Sequence, residues 1–368
     1  MVLTGARQTG KTTLLRQEFP EHLWVSLDLP SVAEQAERDP ERFLAEHPPP
    51  LIIDEMQYAS QLFRFIKVAI DRDRHRMGQF LLTGSQKFTL MREVADSLAG
   101  RVGIAALEPL SVEELGEANP GWSALLARGL YPELWRVPDS NASEFYAAYV
   151  ATYLERDVRQ ILNVQNLRDF ERFLRAAAVR SGHLLNLSDL ARDVGIKPHT
   201  ARAWLSVLEA SNQIVLLEPY FENVGKRLVK SPKLYLTDPG LLCFLLGLDA
   251  RSVASGPLIG TIWETLVFAE LRKRAAADLN AAASALWFYR DAQGREIDFL
   301  RASGGQLDLV EAKWSADPDG RWMRVLDDVA ATLSRSRSQR MGRRFLVCTT
   351  PKARNESGVR VTNPAHLD

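Results

Sequence analysis

Two cysteines in 368 residues exclude a disulfide framework. Their settings, Leu-Leu-Cys243-Phe and Leu-Val-Cys348-Thr, predict buried thiols of a reducing cytoplasm rather than a metal pair. An excess of either charge is missing too. With 46 basic against 46 acidic side chains, no overall field gathers nucleic acid, so any such affinity must come from a local basic face. No apolar run reaches the roughly 20 residues of a membrane span, and no signal peptide is expected ahead of the first strand. What remains, 46% hydrophobic and 25% charged, is ordinary for a soluble globular chain of two or three domains.

The strongest pattern stands at the start. Apolar Met1-Val-Leu runs into Gly5-Ala6-Arg7-Gln8-Thr9-Gly10-Lys11-Thr12, and the helical run from Thr13 follows. Strand, glycine loop and helix start form the context in which G-x-x-x-x-G-K-T is a phosphate site. Loop amides and the helix N-terminus converge on one anion. Gly5 through Thr13 are therefore the expected nucleotide contacts, with Lys11 on the β and γ phosphates and the Thr12 hydroxyl on Mg²⁺. Because Met1 opens the strand itself, the natural start is expected upstream, with an N-terminal helix over the nucleotide.

Further strands supply the chemistry. Leu23–Asp28 reads as a short buried strand, and 30–47 as a polar, partly helical connection. Leu51-Ile-Ile-Asp54-Glu55 is an apolar strand ending in two carboxylates, as at the carboxyl edge of a parallel sheet. Asp54 is expected to hold the Mg²⁺ shell and Glu55 to orient and deprotonate the attacking water, since phosphoryl transfer needs positioning and charge stabilisation. The plain alternative is a solvated acidic turn. Gln79-Phe-Leu-Leu-Thr83-Gly-Ser85 repeats the shape, so Thr83 or Ser85 is placed to sense the γ phosphate. Arg101 is a candidate transition-state cation, acting in cis or on a neighbouring subunit; its alternative is a surface ion pair.

The set GARQTGKTT, SLDLP, LIIDEMQ, FLLTGS and SLAGRV followed by LEPLSVEEL resembles the prokaryotic AAA-superfamily ATP-binding proteins that carry a C-terminal domain of unknown function. The resemblance runs over nearly the whole chain and implies ATP binding and Mg²⁺-dependent hydrolysis. It also prefers adenosine to guanosine, which no motif here specifies.

Past Ala142 a helical pattern continues to Val164, with Arg156 expected in a structural ion pair. Leu167–Gly182 reads as one amphipathic helix. Leu187–Gly195 is a capped helix ended by glycine, and a third helix covers about 199–210. Short helix, turn and second helix, with strands at 213–219 and 233–237, give a winged helix. Lys197, His199, Thr200 and Arg202 would then face a DNA groove, and Lys226, Arg227, Lys230 and Lys233 would reach phosphates. The alternative is a lid or protein contact.

After a flexible 250–256, the order is helix 260–277 with Glu264, strand 286–290, strand 296–300 with Asp298, strand 307–313 with Glu311 and Lys313, helix 321–334 and strand 344–348. This order, with Asp298 and Glu311-Ala-Lys313, resembles the core of restriction-endonuclease-like nucleases. A site sharing a metal among these groups would suit Mg²⁺-assisted phosphodiester cleavage. A degenerate nuclease fold or an Asp298–Lys313 ion pair is the alternative. Residues 351–368 read as a loop and polar tail.

The expected protein is thus α/β: a P-loop NTPase parallel sheet (1–120), an all-α winged-helix middle (121–240) and an α/β restriction-endonuclease-like part (241–368). It uses ATP and Mg²⁺, with DNA and a second copy of itself as possible partners and no membrane. A regulatory or protein-interaction module switched by ATP is the competing class.

Overall fold

A computed structural model describes residues 1–84, 94, 96–137, 139–154, 167–221, 231–277, 286–291, 293–303, 305–335 and 340–367. The chain divides into two compact units, Met1–Glu108 with Ala210–Asn212, and Pro109–Glu209 with Gln213–Asp368.

In the first unit, β1 (Val2–Thr4), β2 (Leu23–Ser26), β3 (Leu51–Asp54), β4 (Phe80–Thr83) and β5 (Ile104–Ala106) form a parallel sheet of order β2-β3-β4-β1-β5. The helices α1 (Lys11–Glu18), α2 (Pro30–Arg38), α3 (Pro40–Glu46) and α4 (Leu62–Arg72) connect the strands. Central β3 and β4 are buried along their whole length, because crossover helices cover both faces of a parallel sheet. The expected buried strand at Leu23 is instead an edge: Leu23 is exposed and its three successors are only half-buried. Four strands end in a polar residue at one edge, namely Thr4, Ser26, Asp54 and Thr83. Strand alternation sets Ile52 and Asp54 on the same face, and Ile52 packs there with Leu3, Leu81 and Leu15 of α1. That face brings α1 to Asp54.

The second unit begins with α5 (Val112–Leu115), α6 (Trp122–Arg128), α7 (Pro132–Arg136) and α8 (Ala142–Tyr149). Then come α9 (Leu167–Ala178), β6 (His183–Leu184), α10 (Leu187–Val194), α11 (Pro198–Ala210), β7 (Ile214–Leu217) and β8 (Lys233–Leu236). The middle is therefore not all-α, for β6, β8 and β7 form a three-stranded antiparallel sheet. The helical run past Ala142 ends its α-helical part at Tyr149 and continues in a π-helical turn over Val150–Leu154. Arg156 lies outside the described residues.

Next follow α12 (Pro239–Leu246), α13 (Ala250–Ser255), α14 (Ile259–Ala277), β9 (Leu286–Arg290), β10 (Glu296–Ser303), β11 (Gln306–Ala312), α15 (Gly320–Ser334), β12 (Arg340–Val347), β13 (Arg354–Glu356) and β14 (Val359–Thr362). The sheet order is β13-β14-β12-β11-β10-β9. Two expectations fail here. The segment expected to be flexible is α13, because the Asp249 carboxylate accepts from the Ser252 amide and starts a helix. The expected polar tail holds β14, parallel to β12, with Val359 and Val361 fully buried. One core runs from Val112 to Leu367 and joins the helices to one face of this sheet.

Candidate functional site

Between β1 and α1 the backbone is shaped by two glycines. Gly5 has φ 143°, and a Cβ there would stand 2.2 Å from the Leu107 carbonyl oxygen, so the loop passes too close for any side chain. Gly10, at φ 89°, precedes the helix in the left-handed region, and its carbonyl accepts the first helical bond from the Leu14 amide at 2.9 Å. The Thr9 hydroxyl closes the loop by donating to the Ala6 carbonyl at 3.1 Å. Arg7 is half-buried, while Gln8, at φ 64°, and Thr13 are exposed.

The Lys11 ammonium is buried and donates to the Ala6 carbonyl at 2.7 Å and the Gly5 carbonyl at 3.2 Å. Burial lowers its pKa to about 8, against the raising pull of Glu55 and Asp54. The neighbouring Thr12 hydroxyl donates to Asp54 Oδ2 at 2.9 Å, and the Thr83 hydroxyl donates to Asp54 Oδ1 at 2.8 Å. Three strand and helix ends thus meet on one carboxylate. Of Thr83 and Ser85, Thr83 stands at this edge; Ser85 lies outside the described residues.

Glu55 holds a left-handed backbone at φ 56°, uncommon for a residue with a side chain and often found where function dictates geometry. Its amide donates to Asp54 Oδ1 at 3.2 Å, and the Gln57 amide nitrogen donates to its carboxylate. Sequence reasoning passed over Asp28. It is exposed, and slight desolvation, then the nearby Glu55 and Asp54, raise its carboxyl pKa. Its signal was legible: it follows β2, the neighbour of β3.

Arg101 requires a correction. It precedes β5 and lines a cleft with Met1, Gln79 and Phe80, at the amino edge of the sheet, opposite the loop. Its guanidinium is held by Asp71 in a two-pronged pair of 2.9 and 3.1 Å. The helix after β3 runs back across the sheet, which carries Asp71 to that far edge. As a cis-acting cation at the phosphate loop, Arg101 is misplaced.

A second polar centre lies in the other unit. Asp298 Oδ2 accepts from the Ala312 amide at 2.9 Å and faces the Lys313 ammonium at 3.4 Å. Lys313 approaches Glu311 Oε1 to 2.6 Å, and Glu311 Oε2 accepts from the Asp298 amide at 3.3 Å. Glu264 on α14 accepts from the Tyr235 hydroxyl and pairs with Lys233 at 3.3 Å; Lys233 pairs with Glu296 at 2.6 Å. Burial and then Asp298 push both Glu264 and Glu311 above the usual carboxylate range. Burial alone would lower the two ammoniums. For Lys233, Glu264 and Asp298 outweigh it, and for Lys313, Asp298 and Glu311 do, so both are raised.

The four expected residues, Lys313 among them, therefore come together, and a fifth, Lys233, joins them. Lys233, expected on a wing facing phosphates, is buried; the alternation of Lys233-Leu-Tyr235-Leu puts Lys233 and Tyr235 on one inward face. Among the described residues no group of three or more His, Cys, Asp or Glu is arranged to hold a metal ion. Lys226, Arg227 and Lys230 lie outside the described residues.

At the start of α11, Lys197, His199 and Arg202 are exposed and Thr200 is half-buried, while Trp204, Leu205 and Leu208 face the core. Gly195, at φ 82°, ends α10 and turns the chain into α11. Among the described residues no helix is long and apolar enough to cross a membrane.

Family models match three successive segments: an AAA domain at residues 1–116, a domain of unknown function (DUF8612) at 119–252 and another (DUF4143) at 259–365. Uncharacterized proteins of Mycobacterium bovis and Mycobacterium tuberculosis are each 32% identical over 324 residues, covering 86% of this chain and 71% of theirs. Among solved structures, Can2 of Sulfobacillus thermosulfidooxidans in complex with cyclic tetra-adenylate aligns over 99% of this chain and 95% of that one. At 11% identity and a TM-score of 0.22, that likeness carries no argument.

Proposed function

We propose a function from one premise: the chain belongs to the family of these two mycobacterial proteins and carries an AAA domain at its N-terminal end. The AAA domain implies nucleotide binding. The reading is that ATP binds on Gly5–Thr12 and is hydrolysed with Mg²⁺. The observation that carries it is Lys11, an ammonium held by carbonyl dipoles beside the joined Thr12, Asp54 and Thr83. The donor set fits both groups: loop amides and Lys11 suit phosphate oxygens, and Thr12 with Asp54 suit a hard cation. Mg²⁺ would supply charge neutralisation between the β and γ phosphates. Glu55 would align and deprotonate the attacking water, and Thr83 fixes the rotamer of Asp54. Lys11→Ala is expected to abolish ATP binding by calorimetry. Glu55→Gln should bind ATP and turn it over slowly, and an unchanged rate would refute the base assignment.

The three-part division, 1–120, 121–240 and 241–368, belongs to the same reading. α10, α11 and the strands β7 and β8 are taken as a winged helix, with Lys197, His199, Thr200 and Arg202 offered to duplex DNA. Its support is the exposure of those side chains above an apolar inner face. Binding that fails to strengthen as salt is lowered would remove DNA from the account. The order α14-β9-β10-β11-α15-β12 is read as a restriction-endonuclease-like core. A second reading, an ATP-switched regulatory module whose nuclease-like part is silent, is favoured by Lys313 on the Asp298 and Glu311 carboxylates and Lys233 on Glu264 and Glu296. Buried Cys243 and Cys348 support a reducing compartment, the cytoplasm.

A further inference from the structure

The carboxylates of the second centre raise the question of which cation they take. A hard divalent ion needs several carboxylate oxygens turned into a common space. Here Glu311 Oε1 is 2.6 Å from Lys313, and Glu264 and Glu296 flank Lys233 at 3.3 and 2.6 Å. The Lys313 pairing follows from the Glu-x-Lys spacing. Lys233 is different, because it comes from β8, outside the 259–365 segment that carries the carboxylates.

Its place is rigid. Lys233 pairs in register with Leu217 on one side and Leu184 on the other. Two residues on, the Tyr235 ring stacks on Phe268 of α14 at 4.4 Å and lies 5.6 Å from Phe299 of β10. The Tyr235 hydroxyl then donates to Glu264, and the Lys233 ammonium lies 5.6 Å from the Phe288 ring centroid of β9. A strand of the middle segment is thus clamped to the helix and strands that bear the carboxylates, and its lysine is delivered into their midst. With the side chain 5% exposed, this ammonium is buried within the cluster.

We propose that Lys233 is the resident cation of this cluster, an ammonium fixed between Glu264 and Glu296 that excludes a divalent metal and locks the middle strand to the C-terminal sheet. This deepens the silent-nuclease reading and gives it a residue. The same contact makes the 259–365 segment incomplete without β8.

The experiment titrates Mn²⁺ into the full chain without nucleotide and follows the free-ion electron paramagnetic resonance signal. Wild type is expected to show no binding, up to millimolar Mn²⁺, that Asp298→Asn removes. Lys233→Met is expected to gain one equivalent, bound roughly tenfold more tightly or better, since affinity follows the count of free carboxylate ligands. Asp298→Asn in the same chain should then remove it. The proposal is overturned by wild-type Mn²⁺ binding that disappears with Asp298→Asn, or by a folded Lys233→Met chain that gains none. If Lys233→Met does not fold, Lys233→Met with Glu264→Gln removes one charge of each sign and keeps Glu296, Asp298 and Glu311. Binding of Mn²⁺ by that pair supports the proposal, and none refutes it. No readout involves ATP, so failure at the phosphate loop leaves this test standing.

Discussion

Lys11 and Lys233 are both buried lysines, 7% and 4% exposed, yet their surroundings give them opposite characters. Lys11 rests on two carbonyl oxygens and its pKa is pushed down to about 8 by burial. Lys233 lies between two carboxylates and its pKa is raised, because Glu264 and Asp298 overcome the same burial. Dipoles hold an ammonium without neutralising it, so its charge is left over for an incoming anion. Carboxylates consume that charge within the fold. Burial of a lysine therefore signals a binding site only when the partner is not already supplied.

Substitution of the two lysines should separate them most sharply. Lys233→Met takes the ammonium from Glu264 while Glu296 keeps Arg290 at 3.6 Å, and breaking the buried Lys233–Glu264 pair costs about 3–5 kcal/mol, read as a lowered urea midpoint. Lys11→Met removes a desolvated ammonium without orphaning a carboxylate, so stability should hold or rise. ATP affinity, by contrast, should fall by about 2–5 kcal/mol, the usual loss when one partner of a buried charged contact is truncated. Equal destabilisation by the two changes would break the comparison.

Glu55→Gln comes next. Removing a general base typically slows turnover about 10²–10⁴-fold, and the left-handed backbone at Glu55 is set by the turn after β3, so ATP binding should persist. The measurement is single-turnover hydrolysis alongside calorimetric affinity.

The pH dependence of ATP binding gives a smaller and more diagnostic effect. Triphosphate oxygens favour the charged form of Lys11, so the complex binds the proton more tightly than the free chain does. Affinity should fall as pH rises through about 8, with proton uptake on binding, visible as a dependence of calorimetric heat on buffer. Below pH 8 Lys11 is already charged and contributes no slope. Lys233, raised rather than lowered, gives no titration in that range.

Much of this was readable from residue order. The glycine loop, the apolar strand before Asp54 and the strand-helix alternation of the first unit are local patterns, and local patterns survive without a fold. Asp28 and Lys233 needed topology. Asp28 matters only because β2 pairs with β3, and Lys233 only because β8 meets α14 and β10. From sequence, a lysine in a basic stretch looks like a phosphate contact, and nothing nearby announces that its partners are Glu264 and Glu296. Likewise β14 hid in four residues, Val359–Thr362, whose alternation is too short to distinguish from a tail until β12 is beside it.

Arg101→Ala should have the least effect, and its value lies in what it separates. The guanidinium holds Asp71 in a two-pronged pair at an exposed position, and that hydrogen bonding depresses the Asp71 carboxyl. Exposed pairs add little to stability, so the melting temperature should barely move. At the far edge of its own sheet from Lys11, Arg101 cannot stabilise charge on the phosphate of its own chain, so turnover in dilute protein should be unchanged. A finger acting on a neighbouring copy behaves otherwise: wild-type turnover per chain would rise with protein concentration, and Arg101→Ala would flatten that rise. Concentration-dependent turnover lost on substitution would therefore give Arg101 a role between copies. A flat profile in both proteins would leave it as the brace for Asp71.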